Sequence, residues 1–292
     1  VPTDGKAAPA NRYSIENLAE EFMRLHIRGA QKRMRPEYVK RVLDVDVLPI
    51  WKGRDARTIK PREVVELLDG IVQRGSRVMA NRVAGVLSQM FRFGVHRDLV
   101  EASPVQLLYR PGGRERPKDR TLSDAEIKAL LANLDEVLRS PRMASALRIL
   151  LLTGQRRGEL ALARWRDIDF EAKTWIIPAA HSKTGIAHLL PLSAAAAQEF
   201  ERLKRLADGG SHVMPTENGD APSDPKLITR VVARNPKSLA EHGVRAFTPH
   251  DLRRTCRTGL AKVGVADAVA ERILNHALPG MAEAARHFLP PT

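Results

Sequence analysis

The stretch Thr153-Gly154-Gln155-Arg156-Arg157-Gly158-Glu159-Leu160 decides how the rest of the chain is read. It follows the apolar run Leu147 to Leu152, which has the make-up of a buried helix, and Gly154 supplies the left-handed residue on which such a helix ends. Gly158 permits a second tight turn, so Arg156 stands where the backbone reverses and a guanidinium can be held rigidly. A rigid arginine suits a phosphate, because its planar donors meet two oxygens at once. The plainer reading is that Arg156 pairs with Glu159, three residues on.

Downstream, two short strand-like runs, Thr174-Trp175-Ile176-Ile177 and Ala187-His188-Leu189-Leu190-Pro191-Leu192, flank Ser182-Lys183-Thr184-Gly185. This pattern predicts a β-hairpin that presents Lys183. In Thr248-Pro249-His250-Asp251-Leu252-Arg253-Arg254-Thr255, Pro249 favours a first helical turn, and His250 and Arg253 at i and i+3 share a helix face. A third cluster, Leu274-Asn275-His276, follows. Singly, each has an ordinary explanation: His250 as a helix cap, Lys183 as an exposed turn residue, His276 as a packed side chain.

Together, two arginines, two histidines and a hairpin lysine make a set suited to phosphoryl transfer. Arginines neutralise charge growing on the phosphate, and a lysine or histidine protonates a departing oxygen. Asp167 and Asp169 are the only tight acidic pair near these clusters, and we read them as a turn before the hairpin rather than as metal ligands. The chemistry therefore reads as metal-free.

Working back toward the amino terminus, residues 1–10 form a Pro/Ala-rich leader expected to be flexible. Residues 11–109 are expected to fold as an all-helical domain. Ser14 precedes Ile15, Leu18, Ala19 and Phe22, and Pro36 and Pro61 each open an apolar stripe at helical spacing. Another stripe, Val83 to Met90, breaks at Ser103-Pro104. Residues 110–120 are rich in helix breakers and cations and predict a basic linker, whose Arg110, Arg114, Arg116, Lys118 and Arg120 are candidate contacts for a polyanion. Ser123 and Glu126 then make a capping box that opens a second domain over 121–292. The expected fold class is mainly α with a small β-hairpin or sheet, in two domains.

Composition agrees with an anionic partner. The 292 residues carry 48 Lys+Arg against 34 Asp+Glu, a net charge of +14, shared as +7 over residues 1–110 and +7 over the remainder. Both halves can thus face one long anion such as nucleic acid. A 43% apolar content rules out intrinsic disorder, and a single cysteine, Cys256, rules out an internal disulfide framework. No apolar run approaches the roughly 20 residues needed to cross a bilayer. The chain reads as soluble and cytoplasmic, associated with the nucleoid and not with a membrane.

With these motifs in order, the sequence resembles the tyrosine recombinase family, and most closely the integrases of prophages and genomic islands. The pieces that match are Thr-Gly-Gln-Arg156-Arg-Gly-Glu159, Ser-Lys183-Thr-Gly, Thr-Pro-His250-Asp-Leu-Arg253-Arg-Thr and Leu-Asn-His276, over about residues 11 to 290. The resemblance implies a core-binding domain followed by a catalytic domain, and a site-specific DNA recombinase acting through a covalent protein–DNA intermediate. It further implies that Arg156 and Arg253 clamp the scissile phosphate, that Lys183 protonates the leaving 5′ oxygen, and that His250 assists. His276 would hydrogen-bond the phosphate, with Glu159 behind Arg156 or His250 to orient it. The implied partners are double-stranded DNA at attachment-type sites, further copies of the chain in a tetramer, and accessory DNA-bending proteins. No cofactor and no metal are implied.

One departure bears on activity. The family's nucleophilic tyrosine is expected near Ala284 or Ala285, whereas the only tyrosines are Tyr13, Tyr38 and Tyr109. An altered or truncated carboxyl end, a naturally degenerate recombinase, and an unexpected nucleophile each account for this. The expectation is a chain that binds DNA without cleaving it, with a non-catalytic DNA-binding regulator on a recombinase scaffold as the alternative. The resemblance also implies an additional amino-terminal arm-binding domain in many integrases of this type, and the expectation here is a cut made just before the core-binding domain.

Overall fold

The first helix begins where its spacing predicts. Ser14 Oγ accepts the Asn17 backbone N–H at 3.2 Å and caps α1 (Ile15–Glu21), which runs on into a π-helical segment, Phe22–Ile27. The structure is a computed structural model and describes residues 12–28, 35–105, 110–115, 119–207, 209–217, 219 and 221–276. The chain divides into two compact units, Val1–Pro117 and Lys118–Thr292.

In the first unit, Pro36 and Pro61 occupy the opening turns of α2 (Pro36–Val42) and α4 (Pro61–Gln73), where a missing N–H costs nothing. A second π-helical segment, Leu43–Val47, joins α2 to α3 (Leu48–Trp51), and α5 (Arg77–Val95) is the longest helix of the unit. Their apolar faces meet in a core that includes Phe22, Trp51, Leu68, Leu87, Met90 and Phe91, each fully buried. Each such side chain contributes about 1.5–3 kcal/mol on burial.

Within this unit, the start of the basic segment is fastened to α5. Asn81 on α5 accepts the Gly112 N–H at 2.9 Å and donates to the Gly113 carbonyl at 3.0 Å. A Cβ on Gly112 would lie 2.0 Å from the Arg77 carbonyl oxygen, so only glycine allows this approach. One asparagine therefore fastens a stretch that has no apolar periodicity to reveal the attachment.

In the second unit, Ser123 and Glu126 form the expected capping box at the start of α6 (Asp124–Leu138). Helix α7 (Pro141–Thr153) is buried on nearly every face and packs against α6 and against α9 (Ala194–Arg205), α10 (Lys226–Arg234) and α12 (Pro249–Lys262). It ends on Gly154 at φ +63°, as its sequence requires. Short helix α8 (Arg157–Ala161) follows, and α11 (Pro236–Glu241) and α13 (Asp267–Ile273) complete the helices of the described residues.

The hairpin of β2 (Thr174–Ile177) and β3 (His188–Pro191) pairs Thr174 with Pro191 and Ile177 with His188. A further strand, β1 (Ile168–Asp169), pairs antiparallel with β2, giving a three-stranded sheet in the order β1-β2-β3. This corrects the turn expected at Asp167 and Asp169: Asp167 closes a single 3-10 turn and Asp169 lies in β1. Two residues are too few to show alternation in a sequence. Among the described residues no helix is long and apolar enough to cross a membrane.

Candidate functional site

Arg156 is the residue before the first turn of α8, and Glu159 fixes it twice. One carboxylate oxygen accepts the Arg156 backbone N–H and the other its Nη1, both at 2.8 Å. Glu159 is 2% exposed, so this short-range pair is shielded from water. The plain ion pair expected between these residues is thus present, yet it does not exhaust the guanidinium: Arg156 Nη2 reaches the Asn275 carbonyl at 3.4 Å.

Arg253 arrives at the same segment from α12. Its Nη1 donates to the Gly154 carbonyl at 2.7 Å and its Nη2 to the Leu274 carbonyl. Two guanidiniums from motifs far apart in sequence therefore hold consecutive carbonyls, Leu274 and Asn275. Burial, helped by the neighbouring charge of Arg156, pushes Arg253 down to about 10. Glu159, and more weakly Glu271, offset the charge of Arg253 against the burial that penalises it.

The Leu274-Asn275-His276 cluster is the end of α13. The Asn275 N–H bonds to the Arg272 carbonyl at 3.0 Å, and the His276 N–H to the Glu271 carbonyl at 2.9 Å, with Asn275 at φ +52°. This is a Schellman ending with asparagine at the left-handed position. The next carbonyl back, that of Ile273, accepts from Gln155 Nε2 at 2.7 Å and from His188 Nε2 at 3.1 Å. Burial, and then the charges of Arg253 and Arg156, hold His188 below its ordinary range against the opposing pull of Ile273 and Glu159.

The two candidate histidines are more open. His276 bonds through Nδ1 to the Glu271 carboxylate, which also accepts Arg257 Nε at 2.7 Å. His250 is exposed at the start of α12, and partial burial followed by the charges of Arg254 and Arg253 lowers its basicity. His250 and Arg253 thus share a helix but not an environment, because Arg253 is 4% exposed. Asp251 seats this helix by accepting the Thr248 N–H and hydroxyl, each at 2.8 Å, and Arg254 Nη1 at 2.6 Å.

Lys183 is exposed in the turn between β2 and β3. Of the candidate linker contacts, Arg110 and Arg114 are exposed, while Arg116 and Lys118 lie outside the described residues, as do Ala284 and Ala285. Arg120 pairs with Glu126 at 2.6 Å and reaches the Arg245 carbonyl at 3.3 Å. Its charge is satisfied within the second unit by a carboxylate that is 5% exposed. The capping-box glutamate gave no sign in sequence of a second task.

Sequence reasoning missed Gln155, His188, Glu271 and the side chain of Asn275. Asparagine after an apolar helical stretch was the one available signal, since it tolerates the left-handed conformation. Gln155 and His188 are bound to Ile273, 118 and 85 residues away in sequence, and Glu271 to Arg257 and His276. Among the described residues no group of three or more His, Cys, Asp and Glu side chains is placed to hold a metal ion.

Comparison with known proteins bears on the family and on the fold. Residues 120–287 match the model described as the phage integrase family, and residues 15–110 match that of the phage integrase central domain. Prophage integrase IntZ of Escherichia coli (strain K12) is 28% identical over 252 residues, covering 86% of this chain and 60% of that protein. The integrase of Enterobacteria phage P4 is 24% identical over 300 residues, covering 94% of this chain and 65% of its own length. The chain thus spans 60% and 65% of the length of these two relatives.

Solved structures share the fold. A lambda integrase(75-356) dimer bound to a COC' core site has a TM-score of 0.73 at 19% identity, over 92% of this chain and 97% of that one. A lambda integrase tetramer bound to a Holliday junction gives 0.77 at 17%, over 95% and 84%. The Tn1549 transposon integrase with circular intermediate DNA gives 0.70 at 18%, over 94% and 96%.

Proposed function

The chain belongs to the phage integrase family of tyrosine recombinases, and from that premise we propose that it binds duplex DNA and holds one backbone phosphate between Arg156 and Arg253. The observation that carries this reading is the meeting of two guanidiniums, one of them buried, on the consecutive carbonyls of Leu274 and Asn275. Cations so placed favour an anion, and a phosphodiester offers two non-bridging oxygens to paired arginine donors.

In strand exchange by an intact recombinase, Arg156 and Arg253 would neutralise the charge growing on phosphorus, and Glu159 would keep Arg156 oriented. Lys183 would protonate the leaving 5′ oxygen, with His250 assisting. His276, whose Nδ1 faces Glu271, would offer Nε2 to the phosphate. The exposed Arg110 and Arg114, together with Arg116 and Lys118, would contact the backbone on either side. Self-association into a tetramer on two DNA segments belongs to the same proposal.

The nucleophile is a separate matter. No tyrosine occurs beyond Tyr109, and alanine at 284 and 285 has no oxygen with which to attack phosphorus. We infer that this polypeptide binds DNA and forms no covalent link to it. The same observation favours a second reading, a DNA-binding regulator on a recombinase scaffold.

The test scores duplex retained by the protein before and after detergent denaturation. Salt-sensitive binding that vanishes in detergent is the expected result, and an adduct surviving detergent would overturn the inference. Ala284→Tyr and Ala285→Tyr then separate the readings: recovered cleavage points to a recombinase lacking only its nucleophile, and continued inactivity points to the regulator.

A further inference from the structure

The turn that carries Lys183 has little apolar substance to pin it, since Ser182, Lys183 and Thr184 are polar and Gly185 sits at φ +72°. It is fastened instead to the end of α13. Asn275 Nδ2 donates to Ser182 Oγ at 3.0 Å, and Asn275 Oδ1 accepts from the Thr184 hydroxyl at 3.3 Å. The two hydroxyls are 2.8 Å apart, and the Thr184 N–H donates to Ser182 Oγ at 3.3 Å. One amide therefore closes a ring of hydrogen bonds around the residue that carries the ammonium.

The same asparagine faces the arginine pocket through its backbone, because its carbonyl takes Arg156 Nη2 at 3.4 Å. Its left-handed conformation comes from the Schellman ending and sends side chain and carbonyl to different partners. The base of the hairpin is tied to the same segment by His188, which donates to the Ile273 carbonyl at 3.1 Å. Tip and base of the hairpin thus meet residues two apart at one helix end.

We propose that Asn275 is a positioning residue that sets the Lys183 turn against Arg156, so that the proton donor and the phosphate clamp keep a fixed relation. This rests on the roles given to Lys183 and Arg156 above. Asn275→Gly keeps the backbone conformation and removes both side-chain bonds. Asn275→Asp keeps two acceptors toward which both hydroxyls can turn. Ser182→Ala weakens the ring from the opposite side without touching the backbone at 275.

The experiment measures amide hydrogen exchange of the full chain and the three variants. It also measures acylation of Lys183 with and without a saturating mixed-sequence DNA duplex at low salt. In Asn275→Gly and Ser182→Ala, exchange over residues 182–185 should rise at least tenfold while exchange in α7 and α9 stays unchanged, and Asn275→Asp should stay slow. Bound duplex should slow acylation of wild-type Lys183, and slow it less than half as much in Asn275→Gly.

Unchanged exchange over 182–185 in both loosened variants overturns the proposal. So does a rise spread equally into α7 and α9, which would make Asn275 an ordinary support of the fold, and so does an Asn275→Asp chain as fast as Asn275→Gly. Loosened exchange with no protection of wild-type Lys183 by bound duplex supports the fastening and overturns instead the role given to Lys183.

Discussion

The Nη1 of Arg253 donates to the carbonyl of Gly154 at 2.7 Å, joining α12 to the end of α7 across 99 residues of sequence. The bond ties the residue that ends the central helix to the most buried cation of the site. Stability and anion binding are therefore read through the same side chain.

Arg253→Ala should destabilise the second unit and weaken DNA binding together. It leaves the buried Gly154 and Leu274 carbonyls without their donor, at about 1–3 kcal/mol for each unsatisfied group. Arg253→Lys should recover part of the DNA affinity and little of the stability, since one ammonium cannot span both carbonyls. Urea unfolding and duplex titration measure the two losses; an alanine variant with wild-type stability would show that the carbonyls find other partners.

Gly154→Ala tests the neighbouring constraint. A Cβ there would lie 2.5 Å from Leu274 Cδ2 and 3.0 Å from Cys256 Sγ, on a backbone at φ +63°. Left-handed strain of about 1–2 kcal/mol adds to the roughly 1–3 kcal/mol of overpacking. The expected result is a fall in melting temperature larger than that of Gly158→Ala, which meets nothing within 4 Å.

His188 makes stability depend on pH. Burial, followed by Arg253 and Arg156, holds it below its ordinary value of 6.5, so the unfolded chain takes up the proton first as pH falls. This contribution is complete above about 6.5 and is lost as pH drops through the window beneath it. Glu126, Asp251 and Glu271 are held below the usual carboxylate range and stay ionised there. His188→Gln, which retains an Nε2 donor for Ile273, should flatten the profile, with His250 supplying what slope remains. Denaturant midpoints across that window decide it, and an equally steep profile in the variant would clear His188.

Salt titrations should separate the linker cations. Each phosphate neutralised steepens the dependence of log K on log salt by about 0.9. Arg114→Gln should shallow the slope by roughly one contact with stability unchanged. Arg120→Gln should leave the slope in place and lower stability, because it takes from the buried Glu126 carboxylate the closer of its two arginines and leaves only Arg245 and backbone N–H groups. The opposite pattern would return Arg120 to the DNA-contacting set.

What the sequence determined by itself is what forms within about five residues of backbone. Ser14 and the Ser123–Glu126 box start helices through neighbouring N–H groups, Pro36 and Pro61 do so through their fixed φ, and Gly154 ends one through its own φ. The hairpin that carries Lys183 was legible for another reason, two short β-branched and apolar runs flanking a polar Gly-containing turn, and the order of Arg156, Lys183, His250, Arg253 and His276 is simply read off the chain. Packing around α7 decided the rest. It buried Arg253 while leaving His250 exposed three residues away, and drew Arg120 onto Glu126. It also gathered Gln155, His188, Arg253 and Arg156 onto three successive carbonyls at the end of α13. Those partners lie 21 to 119 residues apart, and only the burial of apolar surface, which no local rule encodes, brings them within hydrogen-bond reach.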